Sequence, residues 1–271
     1  MIQDDDHLCL TERFTPIGVV GAISPWNFPL ILAVGKIGAA VVTGNCVIVK
    51  PSPFTPYSIL KLAEMAMNIF PSGVFQALNG DDKLGPLLVA HPGIGKISFT
   101  GSTATGKKIM ESASKTLKNI TLELGGNDAT VVCSDIDVAK VAPQIALGVF
   151  FNSGQMCIAS KRIYVHQDIY AEFLEAITAV VKSWKVGPAS DEVMLGPVQN
   201  RSQFEIVRGF YEDCYSKGYK FSTGSEGVIE GNGYLFEPAI IDNPPDASRI
   251  VREEPFGMST SRRPPKNLYR L

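Results

Sequence analysis

The chain reads as an α/β protein: a Rossmann-like parallel sheet with helices on both faces, joined to a second α/β domain. Two observations predict it. Between Pro16 and Leu124 short β-branched runs alternate with longer amphipathic ones, the order that builds right-handed βαβ units. The short runs are also almost wholly apolar, as strands covered by helices on both faces must be. Breakers fall between them, at Pro51, Pro53, Pro56, Pro71-Ser72-Gly73, Gly80-Asp81 and Gly101.

In order, the first block predicts strands at 17–24, 46–50, 73–78, 95–99 and 120–124, with helices at 30–42, 57–70, 83–91 and 104–115. After "LGGN" a second block predicts a strand at 129–133, a helix from Val138 to Phe150, a loop carrying Cys157 and a strand at 162–166. A helix from Ile169 to Trp184, a helix at 201–218 and a strand at 233–241 follow. The organisation expected is a first α/β domain at 14–125 and a second at 126–257, meeting without a linker. Residues 258–271 are basic, proline-rich and aperiodic, and read as a divergent, frayed tail.

Composition narrows the function. With 271 residues the chain can bury roughly 70 to 75% of its unfolded surface. Apolar residues at 45% and charged residues at 19% are the profile of a globular protein. A net charge of −2 provides no basic field for nucleic acid or anionic lipid. The N-terminus "MIQDDDHLCL" is acidic where a signal peptide is basic. The longest apolar stretch is interrupted by Lys36 and glycines, short of the ~18 residues a membrane helix needs. Five cysteines without a CxxC pair, and only three histidines, predict no metal site and a reducing, cytoplasmic setting.

Chemistry is expected at the C-terminal ends of the parallel strands, where helix N-termini offer free N–H groups. "SPWNFP" places Trp26 and Asn27 there, "VKPS" places Lys50 and Ser52, and "SFTGSTATG" places Gly101 and Ser102. Each alone is a weak signal. A Gly-Ser before a helix is usually a cap, and a lone lysine is usually solvated. Cys157, in a Gly-containing loop between elements, is the cysteine placed to react. The other four lie in or beside apolar segments and read as structural. No histidine is near Cys157 in sequence, so Glu123 at the end of "ITLEL" is the candidate base. The alternative is a strand-end glutamate facing water.

Taken together, "PWNFP", "VKPS", "FTGS", "LELGGN", "NSGQMC" and "EEPFG", in this order from about Phe14 to Gly257, resemble the aldehyde dehydrogenase superfamily. The resemblance implies that Cys157 adds to an aldehyde, with the oxyanion held by the Asn27 amide and the Cys157 N–H. It implies that a hydride passes to NAD or NADP, and that water activated by Glu123 hydrolyses the resulting thioester to an acid. Lys36 matches a lysine near the proton path. The resemblance also implies that the first domain, 14–125, binds a dinucleotide and that the second, 126–257, is catalytic. The implied cofactor-binding set is Lys50, Ser52, Gly101, Ser102, Trp26, Glu254 and Phe256, with Lys50 on the adenosine ribose and Glu254 on the nicotinamide ribose.

Two departures stand out. Pro53 occupies the place of a glutamate found in many NAD-preferring members, which leaves NAD and NADP both open, and Asn127 replaces a lysine. The chain is also truncated at both ends relative to the family, so the oligomerisation elements of these homo-oligomers are expected to be incomplete. Two functions therefore follow: an aldehyde-oxidising enzyme acting on a small molecule, or an inactive or diverged binding or partner protein on the same fold.

Overall fold

The computed structural model describes residues 3–5, 7–231 and 233–263. It divides into two compact units, Met1–Leu124 and Gly125–Leu271. The first opens with a short antiparallel ribbon of β1 (Gln3–Asp4) and β2 (Cys9–Leu10). Then come β3 (Val19–Ile23), α1 (Pro29–Val42), β4 (Cys46–Lys50), α2 (Tyr57–Ala66), β5 (Phe75–Ala77) and α3 (Leu84–Ala90). β6 (Lys96–Thr100), α4 (Thr103–Ser114) and β7 (Asn119–Glu123) complete it.

The main sheet of this unit has the order β5-β4-β3-β6-β7, parallel throughout. That is the doubly wound arrangement expected, with the reversal of strand order between β3 and β6. Its two faces carry separate cores. Val20, Ala22, Val47 and Val49 pack with Ala33, Ile37 and Ile59 of α1 and α2, while Ile97 and Phe99 pack with Leu88, Val89 and Ile109 of α3 and α4. The helix expected to reach residue 70 stops at Ala66. The chain turns there, with the Ile69 and Phe70 N–H groups both on the Ala66 carbonyl, ahead of Pro71, whose ring disfavours helix in the residue before it.

The second unit contains β8 (Ala129–Val132), α5 (Val138–Phe150), a 3₁₀ turn (Phe151–Gly154), β9 (Arg162–Val165), α6 (Tyr170–Lys182) and α7 (Arg201–Ser216). β10 (Lys220–Thr223), β11 (Ala239–Asp242), α8 (Arg249–Arg252) and β12 (Ser259–Arg263) follow. Its sheet order is β10-β11-β12-β9-β8, parallel except for antiparallel β10.

Two expectations are corrected here, and one strand, β10, is added. The strand expected at 233–241 reduces to 239–242, because Pro238 lacks the N–H a ladder needs. β10 was too short and polar to register as a strand. The largest correction concerns the tail: residues 259–263 form not a frayed end but the middle strand of the sheet, between β11 and β9. Ser259, Thr260 and Ser261 are buried, and Thr260 Oγ1 donates to the Lys161 carbonyl at 2.7 Å. A buried strand of hydroxyl side chains carries no hydrophobic signal, so the sequence pattern hid it. The remainder of the expected tail, 264–271, lies outside the described residues.

Candidate active site

The register of the first sheet aligns its strand ends in one row. Ile23 pairs with Lys50 on one side and Phe99 on the other, and Thr100 pairs with Glu123. Above the reversal point lies a cavity of about 520 Å³ whose lining includes Ile23, Lys50, Asp82, Phe99, Thr105 and Lys108. Open parallel sheets receive ligands at this position. Lys50 is only 6% exposed, contrary to the expectation that a lone lysine is solvated. Its ammonium donates to the Pro51 carbonyl at 3.2 Å. Burial holds its pKa below the ordinary lysine range, with Asp82 and Asp81 pulling the other way. Ser52 is buried, its Oγ accepting from the Phe54 N–H.

Ser102 caps α4, its Oγ accepting from the Thr105 N–H at 3.2 Å, as a serine at this position should. Gly101, just ahead of it, also passes close to a neighbouring side chain. A Cβ there would stand 2.5 Å from the Phe99 ring, so the close approach is made by that ring. Trp26 and Asn27 are half-buried in the turn after β3, ahead of Pro29 at the start of α1. Lys36 projects from α1 to the end of β6, donating to Thr100 Oγ1 at 2.6 Å. Burial lowers its pKa, and the neighbouring charge of Glu123 partly restores it. Glu123 itself is exposed at the strand end, so within this unit the water-facing placement is what the structure gives.

In the second unit the chain leaves α5 through three consecutive left-handed residues, Asn152, Ser153 and Gly154, with φ of 51°, 57° and 72°. Gly154 has to be glycine, because a Cβ there would lie 2.1 Å from the Gly257 carbonyl oxygen and 2.4 Å from Lys161 Nζ. The other two are held by hydrogen bonds that offset their conformational cost. Ser153 Oγ donates to the Gly196 carbonyl at 2.8 Å, Gln155 Nε2 donates to the Asn152 carbonyl at 3.0 Å, and Gln155 Oε1 accepts from the Gln199 N–H at 2.8 Å. Cys157 follows as a half-buried free thiol, beside an Ile158 that is 68% exposed. Of the four cysteines expected to be structural, Cys214 is buried and its thiol pushed up to about 12 by desolvation. Cys9 and Cys133 are exposed instead. Cys9 sits on the two-stranded ribbon, and Cys133 lies just past the end of β8.

The segment before β12 is pinned as firmly as the thiol loop. Gln203 Nε2 donates to the Pro255 and Phe256 carbonyls, at 3.1 and 3.0 Å, while Phe256 itself adopts φ 45°. Glu254 accepts from the Gly126 N–H, and its Oε1 is buried without a hydrogen-bond partner among the described residues. Desolvation pushes its pKa up to about 7, against the pull of that N–H and of Lys161. Sequence reasoning missed Gln155, Lys161 and Gln203. Gln155 lay in plain view inside the cysteine motif, while Lys161, next to Arg162 at a strand start, looked like an ordinary surface cation.

A profile of the aldehyde dehydrogenase family matches residues 1–258. The chain belongs to the aldehyde dehydrogenase family. Among its curated relatives, aldehyde dehydrogenase LUC3 of Fusarium sp is 45% identical over 257 residues, covering 94% of this chain and 54% of the relative. A mitochondrial aldehyde dehydrogenase of Leishmania tarentolae is 41% identical over 249 residues, covering 90% of this chain and 50% of the relative. The NAD+ complex of aldehyde dehydrogenase from Bacillus cereus superposes with TM-score 0.91 at 35% identity, over 94% of this chain and 52% of that one. A mutant of AldC from Pseudomonas syringae, in complex with NAD+ and octanal, gives 0.90 at 32% identity, over 93% and 53%. The chain thus spans about half the length of the aldehyde dehydrogenases it matches. Among the described residues no helix is long and apolar enough to cross a membrane.

Proposed function

We propose that the chain oxidises a small aldehyde to a carboxylic acid with NAD or NADP, using Cys157 as nucleophile. The observation that carries this reading is the thiol loop: three left-handed residues and a 3% exposed glutamine are fixed by hydrogen bonds, directly ahead of a half-buried free thiol. Strain held in place by surrounding structure is typical of reactive sites. AldC, a relative in fold, holds NAD+ and an aldehyde together.

The cavity over the first sheet fits a dinucleotide. Apolar walls from Ile23, Val89, Phe99 and Ile109 suit an adenine ring. The α4 N-terminus at Gly101-Ser102 suits a pyrophosphate, and Lys50 suits a ribose hydroxyl, with Ser52 and Trp26 beside the same strand ends. When bound, NAD or NADP supplies the acceptor for the hydride that converts the cysteine adduct into a thioester. The Cys157 thiolate forms the bond to the aldehyde carbon. The Asn27 amide and the Cys157 N–H hold the negative oxygen so formed. Glu123 takes a proton from the water that cleaves the thioester, so that the acid forms and the Cys157 thiolate is released, and Lys36 relays protons near it. Glu254 would hold the nicotinamide ribose of a bound cofactor, and Phe256 would pack near it. The five free cysteines suit a reducing, cytoplasmic compartment.

The test is incubation of the purified chain with NAD and with NADP across a panel of aldehydes. Reduced nicotinamide should form, and Cys157→Ala should abolish it. No signal, with wild type and Cys157→Ala identical, overturns the enzymatic reading. Retained cofactor affinity in that case would favour a diverged binding protein.

A further inference from the structure

Lys161 is 1% exposed, and the chemistry above gives it no part. Burying an ammonium is costly unless its hydrogens are satisfied, and here two of them are. Nζ donates to the Gly257 carbonyl at 2.7 Å and to the Val149 carbonyl at 3.2 Å. Val149 belongs to the last turn of α5, which runs straight into the left-handed turn ahead of Cys157. Gly257 closes the segment that carries Glu254 and Phe256. Beside the Gly257 carbonyl the Gly154 backbone lies so close that no side chain fits against Nζ. The lysine's own backbone is fixed in turn, its carbonyl accepting from the Ser261 N–H at 3.0 Å in the middle strand of the sheet. Gln203 takes the Pro255 and Phe256 carbonyls from the other side, so the two side chains together hold three successive carbonyls.

We propose that Lys161 is a positioning residue that ties the thiol loop, 151–157, to the 254–257 segment, so that the placement of Cys157 and of Glu254 is set by one buried ammonium. The proposal rests on the reading of Cys157 and Glu254 given above for its functional meaning, but the tie itself does not. A lysine suits the task because one flexible stem brings three donors to a single point. A glutamine amide brings only two donors, fixed in one plane on a stem one atom shorter, together with an oxygen that can only accept. The charge adds a second effect. Glu254 faces Lys161 and Asp128, and Lys161 is the cation whose field favours its ionised form.

The experiment uses the full chain as wild type, Lys161→Met and Lys161→Gln. Hydrogen–deuterium exchange is followed in peptides covering 151–158 and 254–258, and NADH and NADPH affinity is followed by fluorescence titration against pH. In the Met variant both peptides should exchange about tenfold faster while the rest of the second unit is unchanged. NADH or NADPH should bind about tenfold more weakly. In the Gln variant the exchange should be partly restored, while the pH dependence of binding moves upward as in Met, because both variants lack the cation beside Glu254. Faster exchange in one segment alone, or a uniform rise across the unit, overturns the proposal. So does failure of both variants to fold, which would make Lys161 a general core residue. If wild type binds neither nucleotide the cofactor reading fails, and the exchange pattern alone then decides the role of Lys161.

Discussion

Replacing Gln155 by Leu isolates what the thiol loop owes to a single side chain. The residue is 3% exposed and leucine has nearly its volume, so the change opens no cavity and adds no crowding. The change removes the two side-chain hydrogen bonds described above, and they are unequal. The Asn152 carbonyl keeps the Gln155 backbone N–H at 3.1 Å, so losing the Nε2 bond costs about 0.5–1 kcal/mol. The Gln199 N–H loses its 2.8 Å bond to Gln155 Oε1, at about 1–2 kcal/mol. The sum is about 2 kcal/mol, a sizeable share of a domain's stability. Trp184 packs edge-on against Phe150 with ring centroids 6.1 Å apart, so in a Trp26→Phe background its fluorescence reports unfolding of the second unit. With a urea slope of about 2 kcal/mol/M the midpoint should fall by about 1 M at unchanged slope. A fall of less than about 0.3 M would show that water replaces these bonds freely, and that the loop is not held as described.

Ser102 separates cap from ligand. Ser102→Ala should cost about 1 kcal/mol by loss of the α4 cap, read as a lower melting temperature, whereas Ser102→Asp should keep that stability and yet weaken NADH and NADPH binding by placing a carboxylate where phosphate is proposed to sit. Equal nucleotide affinity for Ser102→Asp and wild type would exclude the α4 N-terminus as the phosphate site. The Lys161 and Glu254 pair predicts a pH dependence with opposite limbs. Glu254, raised from 4.5 to about 7, binds a proton in the folded state that the unfolded chain releases, so its contribution falls as pH rises from 4.5 to 7. Lys161, lowered from 10.5 to about 7, leaves the unfolded chain holding the extra proton, so its contribution rises from 7 to 10.5. The difference in melting temperature between wild type and Lys161→Met should therefore grow in favour of wild type above pH 7, and a flat difference would contradict the lowering of the Lys161 pKa by burial.

Most of the first unit was legible because its central strands, β3, β4 and β6, are covered on both faces, and apolar runs between helical periods announce themselves. The strand ends were legible for the same reason: once strand and helix are placed, "VKPS" and "FTGS" can only fall at the junctions. In the second unit the pattern weakened. β12 is buried yet built from serine and threonine, and β10 is a short edge strand, so neither resembles the strands that periodicity finds. Lys161 was illegible for a related reason, since a lysine beside an arginine is indistinguishable in sequence from a solvated pair.

The sequence by itself determined the alternation of elements, the parallel first sheet, the positions where loops leave strand ends, and the six ordered motifs that mark the family. Those properties follow from local pattern and from the order of residues along the chain. Only the tertiary structure decided that residues 259–263 complete the second sheet, that Lys50 and Lys161 are buried, and that Gly154, Gly257 and Lys161 meet at one point. Burial of a polar group depends on which distant carbonyls and N–H groups surround it, and no local pattern carries that information.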